Sequence, residues 1–122
     1  MKILVVDDEE LICWSLKRTF EKHAGHSVCC VYTGNEAMQK IMENQYDIII
    51  TDLKLPDVNG NELVKKIKEL GIDTPVIVIS SYLSDNVLGE MMRQGIVRCI
   101  NKPFQIEDIL NDVEHLTPAI KA

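Results

Sequence analysis

A chain of 122 residues with 46% hydrophobic and 26% charged content fits one ordinary domain over 1–122, built on a single core. A net charge of −6 and the absence of any Lys/Arg run exclude a nucleic-acid surface held by phosphate contacts, so no direct nucleic acid contact is expected. No apolar stretch reaches the length of a membrane span and the charged start MKILVVDDEE is no signal peptide, so a cytoplasmic location with no membrane contact is expected.

The first short apolar run, residues 2–6 (KILVV), ends in Asp7 and Asp8, with Glu9 and Glu10 directly behind. An amphipathic segment follows, in which Ile12, Leu16 and Phe20 share one stripe, so Trp14 lies roughly 200° from Ile12 and is expected to be at least partly exposed. The second run, 27–31 (SVCCV), turns Cys29 and Cys30 to opposite sheet faces. Cys13, Cys29, Cys30 and Cys99 form neither a CxxC pair nor a disulfide framework, and read as reduced, small core hydrophobes. His23 and His26 are too isolated from other ligands to argue for zinc. Thr33 and Glu36 have the spacing of a capping box and start a helix over 34–44. The third run, 46–51 (YDIIIT), delivers the chain into Asp52. Gly71 and Gly95 follow the third and fourth helical segments, where a left-handed residue is wanted. The fourth run, 75–79 (PVIVI), leads to Ser80 and the fifth, 97–100 (VRCI), leads to Lys102; Pro118 is expected to end the last helix.

Strands alternating with helices require right-handed crossovers and a parallel sheet covered on both faces. The expected fold is a doubly wound α/β sandwich with a five-stranded sheet of order 2-1-3-4-5, flavodoxin-like in class. In that order the ligand crevice lies beyond the carboxyl ends of the strands, between the first and third. A lone acid at a strand end is usually a turn-former or a helix cap. Here Asp7, Asp8, Asp52, Ser80 and Lys102 all fall at strand ends that the topology puts side by side, and coincidence is the weaker explanation. Crowded carboxylates repel, and a divalent cation removes that penalty. Hard oxygen ligands without Cys or His favour Mg²⁺, held together with phosphate oxygens. Such a site expects a phosphoryl group, with Lys102 as a point charge, Ser80 as a hydroxyl donor and Asp52 as a carboxylate nucleophile.

With LVVDDEE, IITDLKLPDVNG, VIVISSY and CINKPF in that order, the chain resembles, over essentially its whole length, the receiver domain of bacterial two-component response regulators. The resemblance implies that Asp52 is the phosphoacceptor, Asp7 and Asp8 the metal-binding acids, the Lys54 backbone carbonyl a further metal ligand, Ser80 the switch hydroxyl and Lys102 the phosphate-binding cation. It also implies a cis Lys102–Pro103 peptide. The implied partners are a sensor histidine kinase or phosphotransfer protein, with Trp14 on the first helix as a candidate contact, and a second copy through the fourth helix, fifth strand and fifth helix. Lys54 and Tyr82 occupy the positions that tune attack of water on the acyl phosphate. Neither can orient an in-line water, so slow hydrolysis is expected. Cys99 stands where receivers usually carry an aromatic switch residue. The signal then runs through Ser80 and the loop after it, or through another side chain such as Tyr82; otherwise Cys99 is a core filler in a weaker switch. Such a domain catalyses its own phosphorylation and dephosphorylation but turns over no separate product.

LICWSLKRTFE further resembles receivers attached to transcription activators, which implies the N-terminal part of a transcriptional response regulator; a stand-alone receiver is the alternative. Two other classes fit less well. An FMN binder would need a hydroxyl-rich phosphate loop where this chain has DDEE. A phosphatase with an aspartyl nucleophile would carry that nucleophile after the first strand and usually a capping insert.

Overall fold

The computed structural model describes residues 1–23, 25–81 and 84–121, and the side chains of all of these except Asp85 and 116–121. Five strands and five helices alternate along the chain: β1 Lys2–Val6, α1 Glu10–His23, β2 Ser27–Val31, α2 Gly34–Glu43, β3 Ile48–Asp52, α3 Gly60–Glu69, β4 Val76–Ser80, α4 Asp85–Arg93, β5 Arg98–Asn101 and α5 Ile106–Lys121. All strand pairs are parallel and their order is β2-β1-β3-β4-β5, as the alternating pattern requires.

Period-two alternation in the strands separates two apolar layers. Ile3, Val5, Ile48, Ile50, Ile77 and Ile79 face one side, where Leu16 and Phe20 of α1 and Ile109 and Val113 of α5 cover them. Leu4, Val6, Ile49, Val76 and Val78 face the other, under Ile41 of α2, Leu63 and Ile67 of α3 and Met91 of α4. Cys30 packs on the first layer and Cys29 on the second. All four thiols are free, but only Cys13 is fully buried; the other three are partly covered. Trp14 is 56% exposed, with the Arg18 guanidinium 5.1 Å from its ring centre.

Local signals account for the helix ends. Thr33 Oγ1 accepts the Glu36 amide at 3.1 Å and donates to the Glu36 carboxylate, closing the capping box side chain to side chain. Gly71 and Gly95 have φ of +74° and +84°, so each chain reversal uses the left-handed backbone that glycine tolerates. The second helix ends at Glu43 rather than at residue 44, and β3, β4 and β5 each begin one or two residues later than the apolar runs suggest. Lys102 consequently lies just past β5 instead of ending it. Pro118 does not end α5, which continues to Lys121. Proline's φ is already helical, so the backbone continues through it at the cost of one amide bond to the carbonyl four residues back.

Candidate functional site

Register brings the strand ends level. Val6 lies opposite Thr51, Asp52 opposite Ile79, and Ser80 opposite Asn101, so the residues after β1, β3, β4 and β5 emerge on one edge of the sheet. Asp7 follows β1 directly; its amide donates to the Val31 carbonyl at 3.1 Å, and its Oδ1 accepts the Glu9 amide at 2.9 Å where the chain turns into α1. Asp52 closes β3, and its Oδ1 accepts the Lys54 amide at 3.1 Å. Lys102 is held by its own amide, which donates to the Ser80 carbonyl at 2.7 Å, and the Lys102–Pro103 peptide after it is cis.

From there the Lys102 ammonium reaches three carboxylates: Asp52 Oδ2 at 2.7 Å, Asp7 Oδ2 at 3.0 Å and Glu9 Oε1 at 3.0 Å. Asp7, Asp52 and Ser80 are buried, whereas Asp8 and Glu9 are exposed. Burial alone would lower the Lys102 ammonium, yet its bonds to Asp52, Glu9 and Asp7 hold it above its ordinary value. Burial pushes the Asp7 carboxyl up, against the opposing pull of the Glu9 amide and Lys102.

Asp7, Asp8 and Asp52 each offer a carboxylate oxygen within 4.8 Å of the others. Asp7 Oδ2 is buried and, among the described residues, has the Lys102 ion pair but no donor aligned for a hydrogen bond. An all-oxygen donor set with an underused buried oxygen fits a hard divalent cation of the size and preference of Mg²⁺.

Of the residues expected at the site, Asp7, Asp8, Asp52 and Lys102 converge, and Ser80 ends the neighbouring strand. Lys54 contributes its peptide while its side chain is exposed. Cys99 packs against the α2–α3–α4 layer, three residues before Lys102, and its thiol is pushed up by burial. Tyr82 lies outside the described residues. Beside Lys102 opens a cleft of about 550 Å³ lined by Leu11, Ile12 and Ser15 of α1 together with Pro103, Phe104 and Ile106. Leu11 is 73% exposed, and Trp14 is not in that lining.

Two participants escape a sequence reading. Glu9 is the third partner of Lys102, one of four successive acids that nothing in the string distinguishes. Gly60 donates its amide to the Leu53 carbonyl at 2.7 Å, and a Cβ there would run into the Asp52 carbonyl oxygen and the Leu53 Cα. The end of β3 and the start of α3 therefore touch backbone to backbone.

A parallel sheet of this order with an acid cluster facing a lysine at its topological switch point defines a class of α/β domains with a cation-and-anion site beyond the strand ends. The family described as Response regulator receiver domain matches residues 3–114, and the chain belongs to it, as a receiver domain of two-component response regulators. Its curated relatives include the transcriptional regulatory protein CrdR of Helicobacter pylori, 30% identical over 109 residues that cover 88% of this chain and 51% of the relative. Another is the response regulator ArlR of Staphylococcus saprophyticus, 36% identical over 111 residues, or 89% of this chain and 49% of the relative. The chain thus spans about half the length of the curated relatives it matches. Among solved structures, the receiver domain of the Francisella response regulator 1452 is similar with a TM-score of 0.88, 33% identity and 94% of each chain covered. A two-component response regulator from Clostridium difficile is similar with a TM-score of 0.94 and 27% identity, covering 100% of this chain and 99% of its own. No described helix is long and apolar enough to cross a membrane.

Proposed function

We propose that this receiver takes a phosphoryl group from a sensor histidine kinase or phosphotransfer protein onto Asp52 and uses it to change a partner-binding surface. The observation that carries the reading is the position of the Asp52 carboxylate, 2.7 Å from the Lys102 ammonium and within one cluster with Asp7 and Asp8. A carboxylate oxygen of Asp52 attacks phosphorus, the bond from phosphorus to the donor imidazole nitrogen breaks, and the product is a mixed anhydride. Lys102 balances charge on the phosphoryl oxygens, and the Lys54 amide orients the attacking carboxylate. Asp7, Asp8, Asp52 and the Lys54 carbonyl would hold Mg²⁺, which when bound neutralises charge developing on the transferred group.

The Ser80 hydroxyl then donates to the new phosphoryl group and biases the residues after β4 and the face of α4. With Cys99 in place of an aromatic, coupling through Ser80 and its loop is the favoured route. Lys54 and Tyr82 leave the acyl phosphate without a water-orienting group, so it is long-lived. The apolar cleft beside Lys102, with exposed Leu11 at its edge, suits a donor protein's helix, and Trp14 adds a flanking contact. A homodimer through α4, β5 and α5 completes the reading, and a role at the N-terminus of a cytoplasmic transcriptional regulator is in keeping with relatives named as transcriptional regulatory proteins.

With Mg²⁺ and acetyl phosphate, the intact mass should rise by one phosphoryl group, and Asp52→Asn should abolish the gain. Label that persists in Asp52→Asn and maps to another residue overturns the assignment.

A further inference from the structure

The segment from Leu53 to Asn59 joins the acceptor strand to α3 and is fixed at both its base and its tip. At the base, Gly60 donates to the Leu53 carbonyl at 2.7 Å, and Lys54 and Asn59 form an isolated antiparallel bridge. At the tip, Asp57 reaches across to α2. Its Oδ1 accepts the amides of Gly34 at 2.8 Å and Val58 at 2.9 Å, and its Oδ2 accepts the amide of Asn35 at 2.9 Å.

Thr33 takes the Glu36 amide at 3.1 Å, so side-chain oxygens satisfy the amides of Gly34, Asn35 and Glu36 in the first turn of α2. Two of these acceptors come from a loop more than 20 residues away in sequence. The approach is close enough that a Cβ on Gly34 would run into Val58 Cγ2. A carboxylate at a helix N-terminus also gains from the helix dipole. At the base, Lys54 also donates its amide to Asp52 Oδ1 at 3.1 Å.

We propose that Asp57 is a positioning residue for the acceptor site: by clasping the N-terminus of α2 it fixes the Lys54 peptide against Asp52. The proposal rests on the function proposed above for its chemical consequence, because the Lys54 carbonyl is one of the ligands assigned to Mg²⁺ there. Without the clasp, movement of the tip is carried to the bridge between Lys54 and Asn59, and the Lys54 peptide within it loses its defined orientation. Groups that orient a metal ligand without touching the metal commonly change affinity by about 10–100-fold when removed.

The test compares Asp57→Ala with Thr33→Ala in the full chain. Both remove side-chain acceptors from the first turn of α2 and should lower the urea midpoint, but only Asp57→Ala frees the loop. Asp57→Ala should weaken Mg²⁺ binding, measured by calorimetry, on the order of 10-fold, and should accelerate hydrogen exchange at the Lys54 amide. Thr33→Ala should change neither. Asp57→Asn, which keeps the Oδ1 acceptor and loses the bond from Asn35, should fall between wild type and Asp57→Ala; it replaces Asp57→Ala if that variant fails to fold. Equal Mg²⁺ affinity and equal Lys54 exchange in the Asp57 and Thr33 variants would show Asp57 to be a helix cap and nothing more. Wild-type protein that binds no Mg²⁺ refutes the assigned ligand set, while the exchange rate of Lys54 still decides whether Asp57 positions it.

Discussion

Asp57 carries its own signature in acid. Desolvation works upward and is the largest single influence, but the amides of Asn35, Gly34, Asp57 itself and Val58 together outweigh it and hold the carboxyl below its ordinary value of 3.8. A depressed folded value means that the folded chain gives up this proton more readily than the unfolded one. The resulting stability is complete above pH 3.8 and is lost as pH falls below 3.8 through the folded value. Asp57→Asn has no proton to gain, so the urea midpoint of wild type should exceed that of Asp57→Asn at neutral pH, with the gap narrowing only on the acid side of 3.8. A gap that stays constant through that window would show that the charge on Asp57 adds nothing to its hydrogen bonds.

At the level of elements, two glycines in helices should respond in opposite directions to the same methyl group. At Gly60, the first residue of α3, an added Cβ meets the Asp52 carbonyl and the Leu53 backbone, atoms that cannot rotate away. Moving α3 outward would also strain its bonds to α4, where Asn61 Nδ2 donates to Glu90 at 2.9 Å and Gln94 Nε2 donates to Asn61 at 2.7 Å. Gly60→Ala should therefore cost roughly 1–3 kcal/mol and slow phosphoryl uptake from acetyl phosphate. At Gly89, inside α4, the nearest atom to an added Cβ is the tip of Arg93 at 3.7 Å, so Gly89→Ala should stabilise by roughly 0.5–1 kcal/mol through helix propensity. Thermal unfolding of the two variants checks both signs. The elements themselves were readable because strand and helix periods are written locally: KILVV, the three isoleucines before Asp52 and the capping box at Thr33 each point to one structure. The acids and the lysine could be placed for the same reason, since strand order alone puts their strand ends together. Glu9, Gly60 and Asp57 could not, because what matters about each is a contact with a distant segment, and a glycine or acid in a loop has the same local appearance whether or not it makes one. The reach of α5 past Pro118 likewise depends on whether the helix absorbs one lost amide bond, which the string does not state.

For the whole molecule, the acid cluster means that stability and cation binding are linked. Asp7 is buried with its carboxyl pushed up by that burial, so the metal-free fold carries a charge it would be better without. Asp7→Asn retains an oxygen to accept the Glu9 amide and should be more stable than wild type by roughly 0.5–2 kcal/mol in buffer with a chelator. Mg²⁺ at one hundred times its dissociation constant should stabilise wild type by about 2.7 kcal/mol and Asp7→Asn far less. Urea unfolding with and without the cation measures both, and a variant destabilised in chelator would refute the trade-off. The partition of the core into two layers bears on how such a domain diverges. Helices α1 and α5 belong to one hydrophobic cluster and α2, α3 and α4 to the other, with the sheet between them. Substitutions that remodel the surface of α1 need no compensation around α4, because separated sites perturb stability independently. A lineage can therefore exchange the partner recognised on one face while the opposite face keeps its own, and only the residues at the strand ends, which serve both faces, are held fixed by the two together.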